Sequence, residues 1–302
     1  MKVRIGLGLG TRTRFNTGEL GDLAMDMDAR GVDSIWLSER INSQAPDPLM
    51  ALGYIAGRTQ SLKLGTSVMV LPGRNPVIAA TQLASLATLS GGRLLPAIGL
   101  GAVDPAEQAA FGVRRGERAA MFDEALHVMR QCWTGDEVNH VGTHYRVEGV
   151  RVGPVPERLE VWLGGIADSE LRRVGRFGDG WLPSFITPSD AQRGRQMIEE
   201  ATAREGRQID EDHYGVLIPF SLGSVPAALL DALARRRPDL DDPTVLVPDG
   251  WEQLRTLIAE FVEVGTTKFV ILPVEEPSDV DGWSHMLASV ADEVLVMERD
   301  DA

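Results

Sequence analysis

The stretch Ser90-Gly91-Gly92-Arg93-Leu94-Leu95-Pro96-Ala97-Ile98-Gly99-Leu100-Gly101 reads as a helix stop, a turn, a short buried strand and a glycine-opened loop. Glycine tolerates the left-handed conformation that ends a helix, so Gly91-Gly92 mark the stop. Residues 94–98 are apolar without polar alternation, as in a strand covered on both faces. Gly99 and Gly101 leave no side chain where that strand ends. Two readings of them stand at this point: a cofactor lying against bare backbone, or a tight strand-to-loop turn.

The same unit recurs on either side. Residues 3–9 form an apolar, glycine-laced first strand, and a helix capped by Thr17 or a neighbour follows to Gly31. Residues 33–37 are a second strand ending in Ser38-Glu39-Arg40. Asp47-Pro48 opens the next helix, with aspartate as cap and proline at the first helical position. A third strand covers 63–71, and Asn75-Pro76 repeats the cap-plus-proline opening. After the fourth strand the rhythm breaks. Residues 117–133 are an amphipathic helix, and 134–158 have no helical period and suit a hairpin. Further strands are expected at 160–163, 180–183, 213–222 and 268–272, with helices at 167–177, 189–204, 250–264 (opened by Asp249) and 283–297. Eight strands alternating with helices imply a parallel sheet. Eight such units in 302 residues imply closure as an α/β (β/α)8 TIM barrel, a fold of about 250 residues before insertions. The insertions follow strands 4 and 7, at about 104–158 and 223–248, within one domain over 1–302. An open doubly wound sheet is the alternative, weakened because no Gly-x-Gly-x-x-Gly follows the first strand.

Composition narrows the function. The net charge of -14 argues against nucleic-acid and anionic-membrane surfaces. A lone cysteine, Cys132, excludes an internal disulfide and fits a cytoplasmic protein. The chain enters its first strand at Met1-Lys2-Val3 with no expected signal peptide, and no apolar run is long enough to span a bilayer. The five histidines are scattered, and His140 and His144 lie in the hairpin stretch, so no metal is expected. No nucleophile elbow or P-loop occurs. Chemistry without strong protein acids, nucleophiles or metals is often cofactor chemistry.

In a barrel of this kind the active site lies at the carboxyl ends of the strands. Arg12, Arg14, Arg40 and Arg74 all fall in such loops. They suit a phosphate or carboxylate ligand, or else pair with surface acids. Gly164-Gly165-Ile166 before a helix is a candidate phosphate cradle. Asp168 and Glu170 in the first helical turn compete for the same donors, with Arg172 and Arg173 on the next turn to offset them.

These residues resemble the bacterial-luciferase-like superfamily of flavin and deazaflavin oxidoreductases. The likeness rests on Leu64-Gly65-Thr66-Ser67-Val68, Asn75-Pro76 with Gln82-Leu83-Ala84-Ser85-Leu86, Ser90-Gly91-Gly92-Arg93, Ile98-Gly99-Leu100-Gly101, Trp133-Thr134-Gly135 and Gly178-Asp179-Gly180-Trp181-Leu182-Pro183. It covers nearly the whole length and looks nearest to the branch that uses coenzyme F420, with FMN as the alternative. It implies a homodimer acting on a small organic substrate by hydride transfer at the deazaflavin C5. It implies a non-prolyl cis peptide at Ser67-Val68 behind the cofactor ring. Ser38, Gly99, Leu100 and Gly101 line the cofactor, and Gly164, Gly165 and Ile166 bind its phosphate. The second-strand end, often an acid followed by histidine, is here Glu39-Arg40. Arginine is no proton shuttle near neutral pH, so Glu39 is the candidate proton donor and Arg40 a partner for the reduced ring. A structural ion pair of Glu39 with Arg40 or Arg12 is the competing reading. Leu9, Met69, Trp181 and Phe185 are the expected substrate pocket, with ordinary barrel core as the alternative for Leu9 and Met69. An FMN-dependent monooxygenase and a barrel that has lost catalysis are the competing functions.

Overall fold

The computed structural model describes residues 2–16, 18–101 and 104–298; Thr17, expected as a helix cap, lies outside them. Eight parallel strands run in the order β8-β7-β4-β3-β2-β1-β10-β9. They are β1 (Arg4–Leu9), β2 (Ser34–Leu37), β3 (Lys63–Val70), β4 (Leu94–Gly99), β7 (Trp162–Leu163), β8 (Gly180–Trp181), β9 (Gly215–Phe220) and β10 (Lys268–Pro273). Parallel bridges from Trp181 to Tyr214 and from Ser184 to Leu217 join β8 to β9 and close the ring. This is the expected (β/α)8 barrel. The strands expected over 160–163 and 180–183 shrink to two residues each. The seventh starts at Gly215 rather than His213, because His213 is spent on a turn with Asp210.

Local sequence sets the helix ends. Asp47 accepts the Met50 amide at 3.0 Å and opens α2 (Pro48–Ala56). Asn75 accepts from Val77 and Ile78 and opens α3 (Pro76–Leu89). Gly91 and Gly92 have φ of 65° and 80°, and the Gly92 amide returns to the Ala87 carbonyl at 2.8 Å. The helix stop in the opening stretch is therefore real. α1 (Glu19–Ala29) starts from Gly18. Gly250, not Asp249, stands before α9 (Trp251–Glu263). The last helix, α10 (Val280–Glu293), begins three residues before the expected Trp283, because the Asp279 side chain caps it.

Between β4 and β7 lie α4 (Pro105–Ala110), α5 (Arg118–Cys132) and an antiparallel hairpin of β5 (Val138–Val141) and β6 (Arg146–Val150). The helix after β7 is α6 (Asp168–Phe177), and α7 (Pro188–Arg204) follows β8. α8 (Ala227–Arg236) occupies the stretch after β9.

The barrel has two apolar layers. Ile5, Leu7 and Leu9 of β1 point outward into the layer beneath the helices. The lumen holds Trp36, Ala97, Trp162, Leu182, Leu217 and Val270. Glycines make room for its two tryptophans. A Cβ at Gly65 would lie 2.2 Å from the Trp36 ring, and one at Gly180 would lie 2.4 Å from Trp162. At the amino end, Lys268 lies beneath Trp36, 6.0 Å from its ring, paired with Asp33. Lys63 joins the same carboxylate at 2.9 Å.

This packing makes Gly65→Ala costly, since an overpacked core loses about 1–3 kcal/mol. A lowered urea midpoint with an unchanged slope is the expected result; an unchanged midpoint would mean that the Trp36 ring moves aside freely.

Candidate active site

The expected site residues come from strand ends that adjoin in the sheet: β7, β4, β3 and β2, in that order. The strand β3 contains a cis peptide bond between Ser67 and Val68, and its register against β4 shifts between Ser67 and Met69. The shift is a bulge, and a bulge re-aims the side chains beyond it. Ser67 and Val68 sit half-buried at the mouth of the barrel, and Val68 packs on the lumen cluster. Ser38, at the end of β2, donates its hydroxyl to the Ser67 carbonyl at 2.9 Å and so braces the bulge.

Gly99 and Gly101 serve this bulge. A Cβ at Gly99 would lie 2.6 Å from a Val68 methyl, and one at Gly101 would lie 2.8 Å from a Val70 methyl. The room they leave is filled by valines of β3, which corrects the reading of that space as open. The half-buried backbone of Gly99, Leu100 and Gly101 and the Val68 side chain together form a floor. Arg118 of α5 donates to the Leu100 and Gly101 carbonyls at 3.2 Å and fixes its edge.

Glu39 lies behind the floor. One carboxylate oxygen accepts the Val70 amide at 2.7 Å, and the other pairs with Arg74. Arg74 in turn donates to the Val70 carbonyl at 2.7 Å. The carboxylate thus clamps the end of β2 to β3 just past the bulge. Burial pushes its pKa above the ordinary 4.5, against the lowering effect of the Val70 amide and Arg74. The ion-pair partner is Arg74, not the expected Arg40 or Arg12. Arg40 is 48% exposed and reaches Glu107 of α4 at 3.6 Å. Arg12 is held by Glu276, whose carboxylate also takes the amides of Thr11, Arg12 and Thr13. Of the four loop arginines, three are therefore matched to acids that no local pattern in the sequence marks. Arg14 is exposed beside the same loop.

The turn Gly164-Gly165-Ile166 is half-buried beside β4. A Cβ at Gly164 would meet only the Leu182 carbonyl, at 3.2 Å, so the turn presents backbone toward the mouth. Floor and turn together offer uncharged, half-buried backbone beside a helix amino terminus, where the Glu170 carboxylate takes the amides of Ile166 and Ala167.

Three expected pocket residues face elsewhere. Leu9 shares the outward face of Ile5 and Leu7. Met69 is turned outward by the bulge, which puts Val68 inward in its place; both Leu9 and Met69 are buried in the outer layer. Trp181 also points outward, where a Cβ on Gly194 of α7 would lie 2.3 Å from its ring. Its indole N–H donates to the Gly165 carbonyl at 3.0 Å, so it supports the Gly164–Ile166 turn from behind. Phe185 packs under α8 with Leu233, Leu246 and Val247. One group of possible metal ligands, Glu160, Asp210 and His213, lies at the amino ends of the strands, with Arg158 already paired to both carboxylates.

The chain is similar to several known proteins. An F420-dependent glucose-6-phosphate dehydrogenase of Gordonia bronchialis is 31% identical over 233 residues, covering 72% of this chain and 68% of the relative. Among solved structures, an F420-dependent secondary alcohol dehydrogenase superposes with a TM-score of 0.78 at 19% identity, covering 99% of this chain and 100% of the other. The FMN-bound oxygenating constituent of 3,6-diketocamphane monooxygenase from Pseudomonas putida superposes with a TM-score of 0.77 at 18% identity over the full length of both chains. These structural likenesses speak for the fold. The family model for luciferase-like monooxygenases matches residues 2–263, and the chain belongs to that family.

Proposed function

We propose that this protein is an F420-dependent oxidoreductase that exchanges a hydride with a small organic substrate bound over the Ser67-Val68 bulge. The observation that carries this reading is the contiguous arrangement of Ser38, the bulge, the Gly99–Gly101 backbone and the Gly164–Ile166 turn across four neighbouring strands. The naming of F420 in a relative at 31% identity supports the choice of coenzyme. When bound, the deazaflavin supplies a ring carbon that gives or accepts a hydride. The chain's own residues do the rest. Val68 and the floor backbone orient the ring, and the tryptophan-filled lumen below excludes water from its underside. The turn before α6 meets the phosphate. Glu39, with both oxygens bonded, acts as a positioning residue that keeps the bulge in place. Arg40 sets a positive charge at the rim.

Titration of the purified protein with F420 and with FMN tests the assignment. F420 is expected to bind with a Kd on the order of micromolar, and FMN at least about tenfold more weakly, a gap of roughly 1.4 kcal/mol. Tighter FMN binding with oxygen-dependent turnover would move the protein to the monooxygenase side of the family. Binding of neither would leave a barrel without this chemistry.

Glu39→Gln keeps an acceptor for the Val70 amide and removes the charge. Because burial raises the Glu39 pKa in the folded state, its contribution to stability is full below 4.5 and is lost as pH rises through the raised value. The stability of the wild type relative to Glu39→Gln is therefore expected to fall over that interval. A difference that grows with pH would show that the Arg74 pair outweighs burial.

The homodimer belongs to the same reading. Met50 and Tyr54 of α2 and Ile78 of α3 are 64%, 43% and 59% exposed on adjoining helices, an apolar surface suited to a second copy. Light scattering is expected to give twice the chain mass of 32.8 kDa, and Met50→Glu with Ile78→Glu to give the single mass.

A further inference from the structure

The turn before α6 already holds an anion, and it is the chain's own. One oxygen of the Glu170 carboxylate accepts the amide N–H of Ile166 at 3.0 Å and that of Ala167 at 3.1 Å. Gly165 has a φ of 97°, and a Cβ there would lie 2.5 Å from the same oxygen. The carboxylate therefore rests against the open side of the glycine. The other acid of this turn is held away from the amides: Asp168 pairs with Arg193 at 3.1 Å. Arg236, at the end of α8, feels the Glu170 charge and lies over the Phe185 ring, 5.1 Å from its centroid. Two amides at a helix amino terminus, with an arginine near enough to feel the charge held there, are donors that suit a phosphate group. Glu170 now uses the two amides.

We propose that Glu170 is an internal stand-in for the cofactor's phosphate: its carboxylate occupies the amides of Ile166 and Ala167 and must leave them before a phosphate can take its place. This rests on the deazaflavin reading given above. Two consequences follow from charge alone. A phosphate entering the turn meets a carboxylate of like sign a few ångströms away, which opposes binding. A ligand with the same ring and no phosphate meets no such opposition. Glu170 is thus a specificity-determining residue that lowers this chain's preference for phosphate-bearing over phosphate-free deazaflavin. It also gives the empty turn a satisfied set of donors, so the helix start keeps its shape between binding events.

The test compares F420 with its phosphate-free fragment, the deazariboflavin, by quenching of cofactor fluorescence. Glu170→Gln is the main variant, because glutamine still reaches back to the amides and caps the helix while carrying no charge. Glu170→Ala removes both. Each is checked by its thermal melt. Both variants are expected to bind F420 about tenfold more tightly than the wild type, with deazariboflavin affinity changed by less than about twofold. Adding Arg236→Met to Glu170→Gln is expected to reverse most of the gain for F420 only. An unchanged ratio of F420 to deazariboflavin affinity in Glu170→Gln overturns the role of Glu170 and leaves the cofactor assignment standing. Failure of both compounds to bind wild type and variants alike overturns the cofactor assignment, and this proposal with it.

Discussion

The structure depends on how two tryptophans are fitted inside a narrow barrel. Trp36 and Trp162 fill a lumen that ordinary branched side chains would share among all eight strands. They fit only because the facing positions of β1, β3 and β8 are glycines, at Gly6, Gly65 and Gly180. The Trp36 indole N–H is satisfied by the Ser34 hydroxyl at 2.8 Å, so the ring enters the core without an orphaned donor. This plug is also the base on which Val68 packs. The position of the candidate cofactor floor thus follows from the volume of side chains one layer below it.

The barrel itself was legible because each strand-helix unit carries its own punctuation. Asp47-Pro48, Asn75-Pro76 and Gly91-Gly92 act within a few residues and need no distant partner. The alternation Ile5-Gly6-Leu7-Gly8-Leu9-Gly10 is apolar and glycine-laced. Its parity contains more: the aliphatic residues face the helices and the glycines face the lumen. That parity alone places Leu9 outside any pocket. Met69 could not be placed in this way. A single bulge reverses the side-chain direction of everything after it, and parity counted from Gly65 sends Met69 to the wrong face. Trp181 belongs to a strand of two residues, too short for any alternation to be read.

The candidate site was legible at its backbone and not at its charges. The glycines and the Ser67-Val68 step are local features. The pairing of Glu39 with Arg74 spans 35 positions, that of Arg12 with Glu276 spans 264, and that of Arg40 with Glu107 joins the loop after β2 to α4. Such pairs appear only once the fold brings strand ends to one rim. Nothing local marks Glu107, which sits in the first turn of α4, or Glu276, which precedes a proline, as a partner for a distant arginine. The competition of Glu170 for the amides of the Gly164–Ile166 turn is visible in the sequence, because it acts within a single turn of helix.

The filled lumen also constrains traffic. Among the described residues, tryptophans fill the middle of the barrel and the Lys268–Asp33–Lys63 cluster fills its amino end, so a ligand reaches the floor from the carboxyl mouth. Whatever lies on the floor must arrive before whatever lies above it. The upper ligand must also depart before the lower one can exchange. If a coenzyme rests on Val68 as proposed, the packing of the core sets an order: it would be held through each visit of the smaller partner and renewed only when the space above it is clear.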